Sequence, residues 1–282
     1  MRNGKSIERV SEVMGSVAGP LPPAEQKAVY VRDMFGRIAW RYDLMNRLMT
    51  FGRDRAWRRY TVSQLGLEAS QADAQAQATG SRFVLDVATV TGDLAFEALT
   101  QRPDARVVGL DFVPEMLVLA QQKERATGEN GRTAYPLEEA TELAAGPLAL
   151  LAGDALRIPF PDGTFDAVVT GFALRNVTDI PAAFAEMARV TRFGGRVACL
   201  EIAKPQTPFF KRLFALYFYR LVPLLGGWIT GQRTAYTYLP HSLSAFLNPD
   251  EIADVMRQTG WREVSYKRLM LGTVAVHVGV RG

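Results

Sequence analysis

The sequence predicts an α/β protein: a doubly wound, mostly parallel sheet of seven strands, Rossmann-like, preceded by a helical extension. Three observations carry that prediction. From Arg82 onward, short apolar runs alternate with helical stretches, the pattern of a parallel sheet covered on both faces. The stretch "VLDVATVTGDLA" (Val84 to Ala95) reads as a strand that breaks into a tight turn and then a helix. The length, 282 residues with 48% hydrophobic content, suits one large α/β domain with terminal additions.

Strands are expected at "RFVLDVA", "ARVVGLD", "LALLA", "FDAVVTGF" and "RVACLEIA", each an apolar run bounded by turn residues. Helices are expected at "GDLAFEALTQ", "PEMLVLAQQKERA", "IPAAFAEMARVT" and "NPDEIADVMRQTG". In the second of these, Pro114 suits a first helical position. Two later strands, "REVSYKRL" and "GTVAVHVGV", lie so close together that they are expected to pair as an antiparallel hairpin at the sheet edge. One strand of the seven is then reversed.

The sequence divides into an arm over 1–27 and a main domain over 28–282. Within the domain, residues 28–65 form an N-terminal helical cap, because Phe35, Ile38, Tyr42, Met45 and Met49 recur at three- and four-residue steps. The polar stretches 66–81 and 128–147 read as insertions. The opening residues lack the long apolar core of a secretory signal, so the mature chain is expected to begin near here. The most apolar stretch, Leu213 to Thr230, is interrupted by Arg220, Pro223 and two glycines, and is expected to be a buried or membrane-touching helix.

The single cysteine, Cys199, sits in an apolar run and is expected to be a buried strand thiol, which with the lack of a disulfide framework fits a cytoplasmic setting. His277 lies in an expected edge strand and His241 in "YLPHS"; neither joins a cluster with metal-ligand spacing, and no metal is expected. Net charge is +4, yet eight arginines face three aspartates between Arg32 and Tyr60. "WRRY" and "FFKRLFALYFYR" mix basic and aromatic residues. Nucleic acid would be one partner for such segments, but the interleaved Leu, Met and Phe suit an anionic membrane surface better.

In a doubly wound sheet the ligand lies beyond the carboxyl ends of the strands, where the connection direction switches. The first strand ends in "DVATVTGD". Asp111 closes the second, where an acid can accept hydrogen bonds from ribose hydroxyls, and Asp154 follows the third, where it can approach an adenine edge. Such aspartates also cap helices when alone, but the ordered set points to an adenosyl ligand. A nicotinamide dinucleotide would need G-x-G-x-x-G to seat its pyrophosphate, whereas "ATVTGD" has one glycine and then Asp93, which repels a diphosphate. A ligand bearing an ammonium fits better, which points to S-adenosyl-L-methionine and methyl transfer.

The segments "FGRIAWRYDLMNRLMTFGRDRAWRR", "LDVATVTGD", "IPFPDGTFDAVVTGFALRNVTD", "FGGRVACLEIAKP" and "AYTYLPHS" resemble the ubiquinone/menaquinone C-methyltransferase family, the UbiE or MenG type. The resemblance covers about residues 28 to 280 apart from the two insertions. It implies a class I methyltransferase fold and methylation of an aromatic carbon in a polyprenylated quinol precursor. Carried over by position, it places cofactor contacts on Thr91, Asp111, Asp154, Ala155 and Gly171, with Gly92 in the same turn, and substrate-side polar groups on Tyr42, Arg175 and Asn176. Arg175 would stabilise the developing oxyanion, since a guanidinium is a poor base, unless it is simply paired with Asp179. Residues 205–247 would form a substrate lid, with Phe209 to Trp228 over the prenyl tail and the basic helices on the inner face of the membrane. "LDVAT" favours demethylmenaquinol over a ubiquinone precursor as the substrate. A homodimer is left open.

Two segments depart from the family. Arg192-Phe193 precedes "GG", in an expected turn far from the chemistry, and in the cofactor turn Thr89 and Val90 replace two glycines, threonine being a familiar variant and valine not. A β-branched residue at positive φ costs about 1–2 kcal/mol, and its methyls would press on the cofactor. A catalytically silent relative that binds prenylated intermediates or partners, or a methyltransferase of another small aromatic molecule, are therefore the alternatives.

Overall fold

The computed structural model describes residues 24–67, 82–127, 146–244 and 246–282. The expected arm as far as residue 23, and most of both expected insertions, lie outside the described residues.

Three helices come first: α1 (Ala24–Ile38), α2 (Tyr42–Met49) and α3 (Asp54–Ser63), with a single 3-10 turn between the first two. The sheet and its covering helices then follow as β1 (Phe83–Val87), α4 (Asp93–Gln101), β2 (Arg106–Asp111), α5 (Pro114–Thr127), β3 (Leu148–Ala152), β4 (Phe165–Gly171), α6 (Ile180–Val190) and β5 (Thr191–Ile202). Three more helices, α7 (Pro208–Leu216), α8 (Val222–Thr230) and α9 (Arg233–Ser244), are inserted before α10 (Pro249–Gln258), β6 (Trp261–Leu269) and β7 (Val274–Arg281).

Strand order is β3-β2-β1-β4-β5-β7-β6, and only β7 runs against the others, as its pairings with β5 and β6 show. The order reverses between β1 and β4, which puts the crevice of a doubly wound sheet above their carboxyl ends. Side chains alternate cleanly across the sheet. Leu85, Val108, Ala149, Val168 and Val197 face one core, and Val84, Val107, Leu148, Ala167 and Ala198 face the other. Burial on both faces is why these strands read as unbroken apolar runs.

Two elements differ from the sequence expectation. β5 begins at Thr191 and not at Arg196, because Thr191 pairs with Phe165 before a register shift. At that shift Gly194 takes φ +76°, and a Cβ on Gly195 would come within 2.6 Å of the Asp166 carbonyl oxygen. The "FGG" segment is thus a bulge inside a strand. The second difference is in the lid region, where Pro223 does not break the helix. Residues Pro208–Thr230 run as one helical stretch of 23 residues, with a π turn at Tyr217–Leu221 just ahead of the proline. Proline removes one i→i−4 bond, and a π turn absorbs the mismatch. That stretch is long and apolar enough to cross a membrane by composition, yet it is docked: Phe218 and Val222 are buried, and the Tyr217 hydroxyl donates to the Met49 carbonyl at 2.8 Å.

Candidate active site

The turn after β1 is built around buried carboxylates. Ala88, Val90 and Gly92 all adopt left-handed backbone, at φ +56°, +54° and +83°. The Gly92 N–H closes the turn on the Thr89 carbonyl at 2.8 Å, and Gly92 then caps α4. Glycine takes this conformation without strain, but for Val90 it costs about 1–2 kcal/mol. The strain is offset by the Asp111 carboxylate, which accepts the Val90 N–H at 2.7 Å. A hydrogen bond to a charged group contributes about 1.5–3 kcal/mol, enough to hold the valine there. The positive φ anticipated from the sequence is therefore present in the folded chain itself, and its strain falls on folding and not on ligand binding.

Asp86, near the end of β1, is fully buried; its Oδ2 accepts the Thr89 hydroxyl at 2.6 Å and the Ala95 N–H at 3.0 Å. Asp111 accepts the N–H groups of Val90 and Val113, at 2.7 and 2.8 Å, and also that of Phe112. With about four lone-pair positions on a carboxylate, roughly one stays open toward a ligand, fewer than the two ribose contacts the sequence suggests. Burial pushes the Asp111 carboxyl up to about 6. Asp154 is exposed beyond β3 and accepts the Leu156 N–H at 2.9 Å.

Three cavities meet over these strand ends. One of about 130 Å³ is lined by Asp111, Asp154, Ala155, Asn176 and Val113, with Ala28 and Val31 of α1 closing it. A second, about 20 Å³, lies against Val90, Thr91 and Gly171, and has room for about one water. The third, about 380 Å³, is apolar, walled by Ile38, Phe214, Tyr217, Leu239 and Val274. Its lining also includes Tyr42, Asn46, Asp54, Arg58 and Arg175. Tyr42 and Phe172 line all three, so they stand at the junction.

The structure divides the residues singled out from sequence between these spaces. Asp111, Asp154 and Ala155 converge on the 130 Å³ cavity, and Thr91 and Gly171 on the smallest one. Arg175 and Tyr42 reach the apolar cavity. Asn176 lies instead on the Asp111 side, where its buried Oδ1 has no partner. Arg175 is not paired with Asp179, which caps α6 by accepting the Ala182 N–H at 2.9 Å. Its ion-pair partner is Glu201 of β5, at 3.4 Å. Burial raises Tyr42 above the ordinary phenol value, against the pull of its hydrogen bond with Asn46 and the charges of Arg175 and Arg58.

Sequence reasoning missed a polar network that ties the first helices to the turn. Lys123 of α5 donates to Asp43 at 2.6 Å and to Asp93 and Thr91 at 2.8 Å each, and the Thr91 hydroxyl donates to Asp43 at 2.7 Å. Arg58 pairs with Asp54 and, at 3.0 Å, with Asp93. Burial pushes the Asp93 carboxyl up, but Arg58 and Lys123 outweigh it and leave the group below its ordinary value. Asp93 is thus satisfied by the protein and not left free for a ligand's ammonium. Arg58, expected on a lipid-facing basic segment, is buried. His277 is buried with Nε2 2.9 Å from the Pro249 carbonyl oxygen, and burial lowers it to about 4; Cys199 is buried and its thiol pushed up. The His241 side chain lies outside the described residues.

The sequence model of the ubiE/COQ5 methyltransferase family matches residues 24–281. A protein of Roseiflexus castenholzii named demethylmenaquinone methyltransferase is 44% identical over 261 residues, 93% of this chain and 97% of its own. A Geobacter protein named ubiquinone/menaquinone biosynthesis C-methyltransferase UbiE is 38% identical, over 91% and 98% of the two chains. Among solved structures, a SAM-dependent methyltransferase of Thermotoga maritima superposes with a TM-score of 0.51 at 16% identity, over 89% and 99% of the chains, a likeness of fold.

The carboxyl of Asp86 gives a pH signature. Burial pushes it from 3.8 to about 7, so between these values the folded chain keeps a proton that the unfolded chain has released. The contribution of Asp86 to stability is then fully present below about pH 4 and is lost as pH rises to about 7, by up to about 4 kcal/mol. Asp86→Asn keeps an acceptor for Thr89 and Ala95 and removes the titration. Urea midpoints compared at pH 5 and pH 8 are expected to fall steeply in the native chain and much less in the variant.

Proposed function

The chain belongs to the ubiE/COQ5 methyltransferase family, and from that premise we propose that it methylates an aromatic ring carbon of a polyprenylated quinol, demethylmenaquinol to menaquinol, with S-adenosylmethionine as donor. The observation that carries this reading is the meeting of the Asp111-lined cavity and the large apolar cavity at Tyr42 and Phe172. A transfer reaction needs donor and acceptor in adjoining spaces, and the larger volume falls in the range of a small-molecule site.

The residues of the smaller cavity suit an adenosyl group. Asp111 retains an open acceptor position, the orphaned Asn176 Oδ1 offers another, and Asp154 with Ala155 borders the same space among apolar neighbours. Bound there, S-adenosylmethionine supplies a methyl group on a positively charged sulfur. Thr91 and Gly171 line the turn-side space, where an added Cβ on Gly171 would come within 2.8 Å of Leu94, and Gly92 closes the turn without lining a cavity. On the acceptor side, the ring carbon is nucleophilic when a quinol hydroxyl gives its proton to water, and the ring regains aromaticity when the methylated carbon loses its own proton to water. Arg175 faces that cavity and holds the resulting oxyanion electrostatically. Tyr42, a phenol kept protonated by burial, orients the ring at the junction. Apolar α7 and α8 cover the tail.

The lid also supports a membrane as the source of substrate. Phe51, Phe209 and Trp228 are 73%, 71% and 86% exposed, and Leu213, Leu216 and Leu224 are exposed beside them. Between Glu201 and Asp250 the sequence has no acidic residue, while Lys211, Arg212 and Arg220 are exposed. Apolar side chains interspersed with cations fit an anionic bilayer surface. Protein is expected to float with anionic liposomes and less with neutral ones; sedimentation away from anionic liposomes contradicts the assignment.

Val90 and the narrowness of the space beside it favour, as a second reading, a silent relative that binds prenylated intermediates. Calorimetric titration with S-adenosylmethionine separates the two. The native chain is expected to bind, and Val90→Gly to bind about fivefold to a hundredfold more tightly, since overpacking typically costs about 1–3 kcal/mol and about 1.4 kcal/mol is tenfold. Heat from the glycine variant alone would support the silent relative. Supplied with both acceptors, the native enzyme is expected to methylate demethylmenaquinol far faster than a tail-less naphthol, by product mass; equal turnover would remove the role given to the lid.

A further inference from the structure

We propose that Glu201 is a positioning residue that aims Arg175 at the acceptor cavity and sets how much of its positive charge the acceptor feels. The proposal rests on the quinol-methylating reading of that cavity. Glu201 stands one residue before the end of β5, and the next residue, Ile202, lines the apolar cavity beside Arg175. The two charged side chains are 1% and 5% exposed. Glu201 Oε1 accepts the Leu174 N–H at 2.7 Å, while Oε2 faces Arg175 Nη1 at 3.4 Å and accepts the Ile202 N–H at 3.3 Å. The carboxylate therefore grips both the guanidinium and the backbone of the residue before it. The 3-10 turn that carries Arg175 (Leu174–Asn176) is too short to fix its own orientation, having one turn of weak i→i+3 bonding.

The pair is asymmetric toward the cavity. Arg175 lines it and Glu201 does not, so the cation is presented to the acceptor with its counter-charge behind it. Arg175 Nε is buried without a partner, which leaves the guanidinium unsaturated by the protein. Among the described residues no other carboxylate pairs with Arg175. The other titratable groups around the pair are Cys199 on β5, Tyr42 on α2, Tyr238 on α9, and Arg58 with Asp54 on α3. The Arg175 charge pulls down Tyr42, which lines the cavity, and Tyr238, against the larger effect of their burial, as it would an acceptor hydroxyl in the cavity. Burial pushes the Glu201 carboxyl up, with Arg175 opposing. A lone guanidinium in so apolar a space would favour ionisation of any hydroxyl beside it. A guanidinium with a carboxylate behind it does so less, and the carboxylate prevents the cation from being held as an unpaired buried charge.

The test reads ionisation of a bound hydroxyl and does not need turnover. A naphthol carrying a short prenyl chain is bound to the native protein and to Glu201→Gln, and its naphtholate absorbance is followed against pH. Glutamine keeps an acceptor for the Leu174 N–H and removes the charge. The bound naphthol in the variant is expected to ionise at a pH lower by about one unit or more. Glu201→Asp keeps the charge but withdraws it from Arg175 by one methylene, so its shift is expected in the same direction and smaller, and it serves if the glutamine variant does not fold. Equal ionisation in the native protein and in the variants that fold overturns the proposal, even if their stability falls. Failure of the native protein to bind the naphthol at all would count against the acceptor cavity and not against Glu201.

Discussion

Buried carboxylates near the carboxyl ends of β1, β2 and β5, which accept N–H groups from the turns and helix starts around them, are the constraint on which the site depends. Asp86 takes the Ala95 N–H and the Thr89 hydroxyl, Asp111 takes Val90 and Val113, and Glu201 takes Leu174 and Ile202. Loops at the mouth of a sheet have irregular backbone whose donors no ladder satisfies, and an unsatisfied buried group costs about 1–3 kcal/mol. One acid per strand end repairs that deficit and fixes the loop. Burial raises all three acids above their ordinary values, against the pull of the hydrogen bonds they accept. The arrangement also explains how a valine is retained in left-handed backbone. Its N–H is held by a carboxylate, and the strain is a charge on stability that the rest of the fold carries.

The N-terminal helices complete the site. α1 closes the Asp111 cavity through Ala28 and Val31, α2 brings Tyr42 to the junction, and α3 places Arg58 on the walls of two cavities. Lys27 donates to the Val177 carbonyl at 2.7 Å, joining α1 to the segment after Arg175. The Asp43–Lys123–Asp93–Arg58 chain binds α2 and α3 to α5 and to the start of α4. Alternating charges of this kind leave little net charge beside the turn. Ligand recognition there falls to shape and to backbone groups more than to a free carboxylate.

Much of the fold was legible because its strands are buried on both faces and punctuated by turn residues. "LALLA" appears as β3 with both expected ends, Leu148 and Ala152. The early start of β5 was not legible, since a bulge at "GG" looks like a turn when the pairing partner is unknown. Within the site, Asp111 and Asp154 were singled out from their order along the chain and Ala155 from the family resemblance, and the three line one cavity. Lys123 and Asp43 were not: they meet Thr91 across separations of 32 and 48 residues, and each alone is an ordinary helix-surface charge. Arg58 was taken for part of a basic surface because "WRRY" does not say which arginine turns inward. Glu201 left a usable signal, an acid inside the apolar run "ACLEIA", where an unpaired charge would be intolerable.

The same need for pairing explains how a lipid-handling cavity coexists with charged chemistry. An apolar space of about 380 Å³ suits a hydrocarbon tail, yet Arg58 and Arg175 line it. Each arginine is paired, Arg58 with Asp54 of the same lining and with Asp93, and Arg175 with Glu201 outside it. The cavity therefore offers donors to an aromatic head group without holding a free charge that would repel the tail or draw in water. The exposed apolar side chains of α7 and α8 extend the same logic outward. Leu213 lines the cavity and is 53% exposed, so apolar surface is continuous from the interior to the outer face. On the proposed reading, a prenylated molecule enters along that surface with its tail out of water and meets the paired arginines in the cavity.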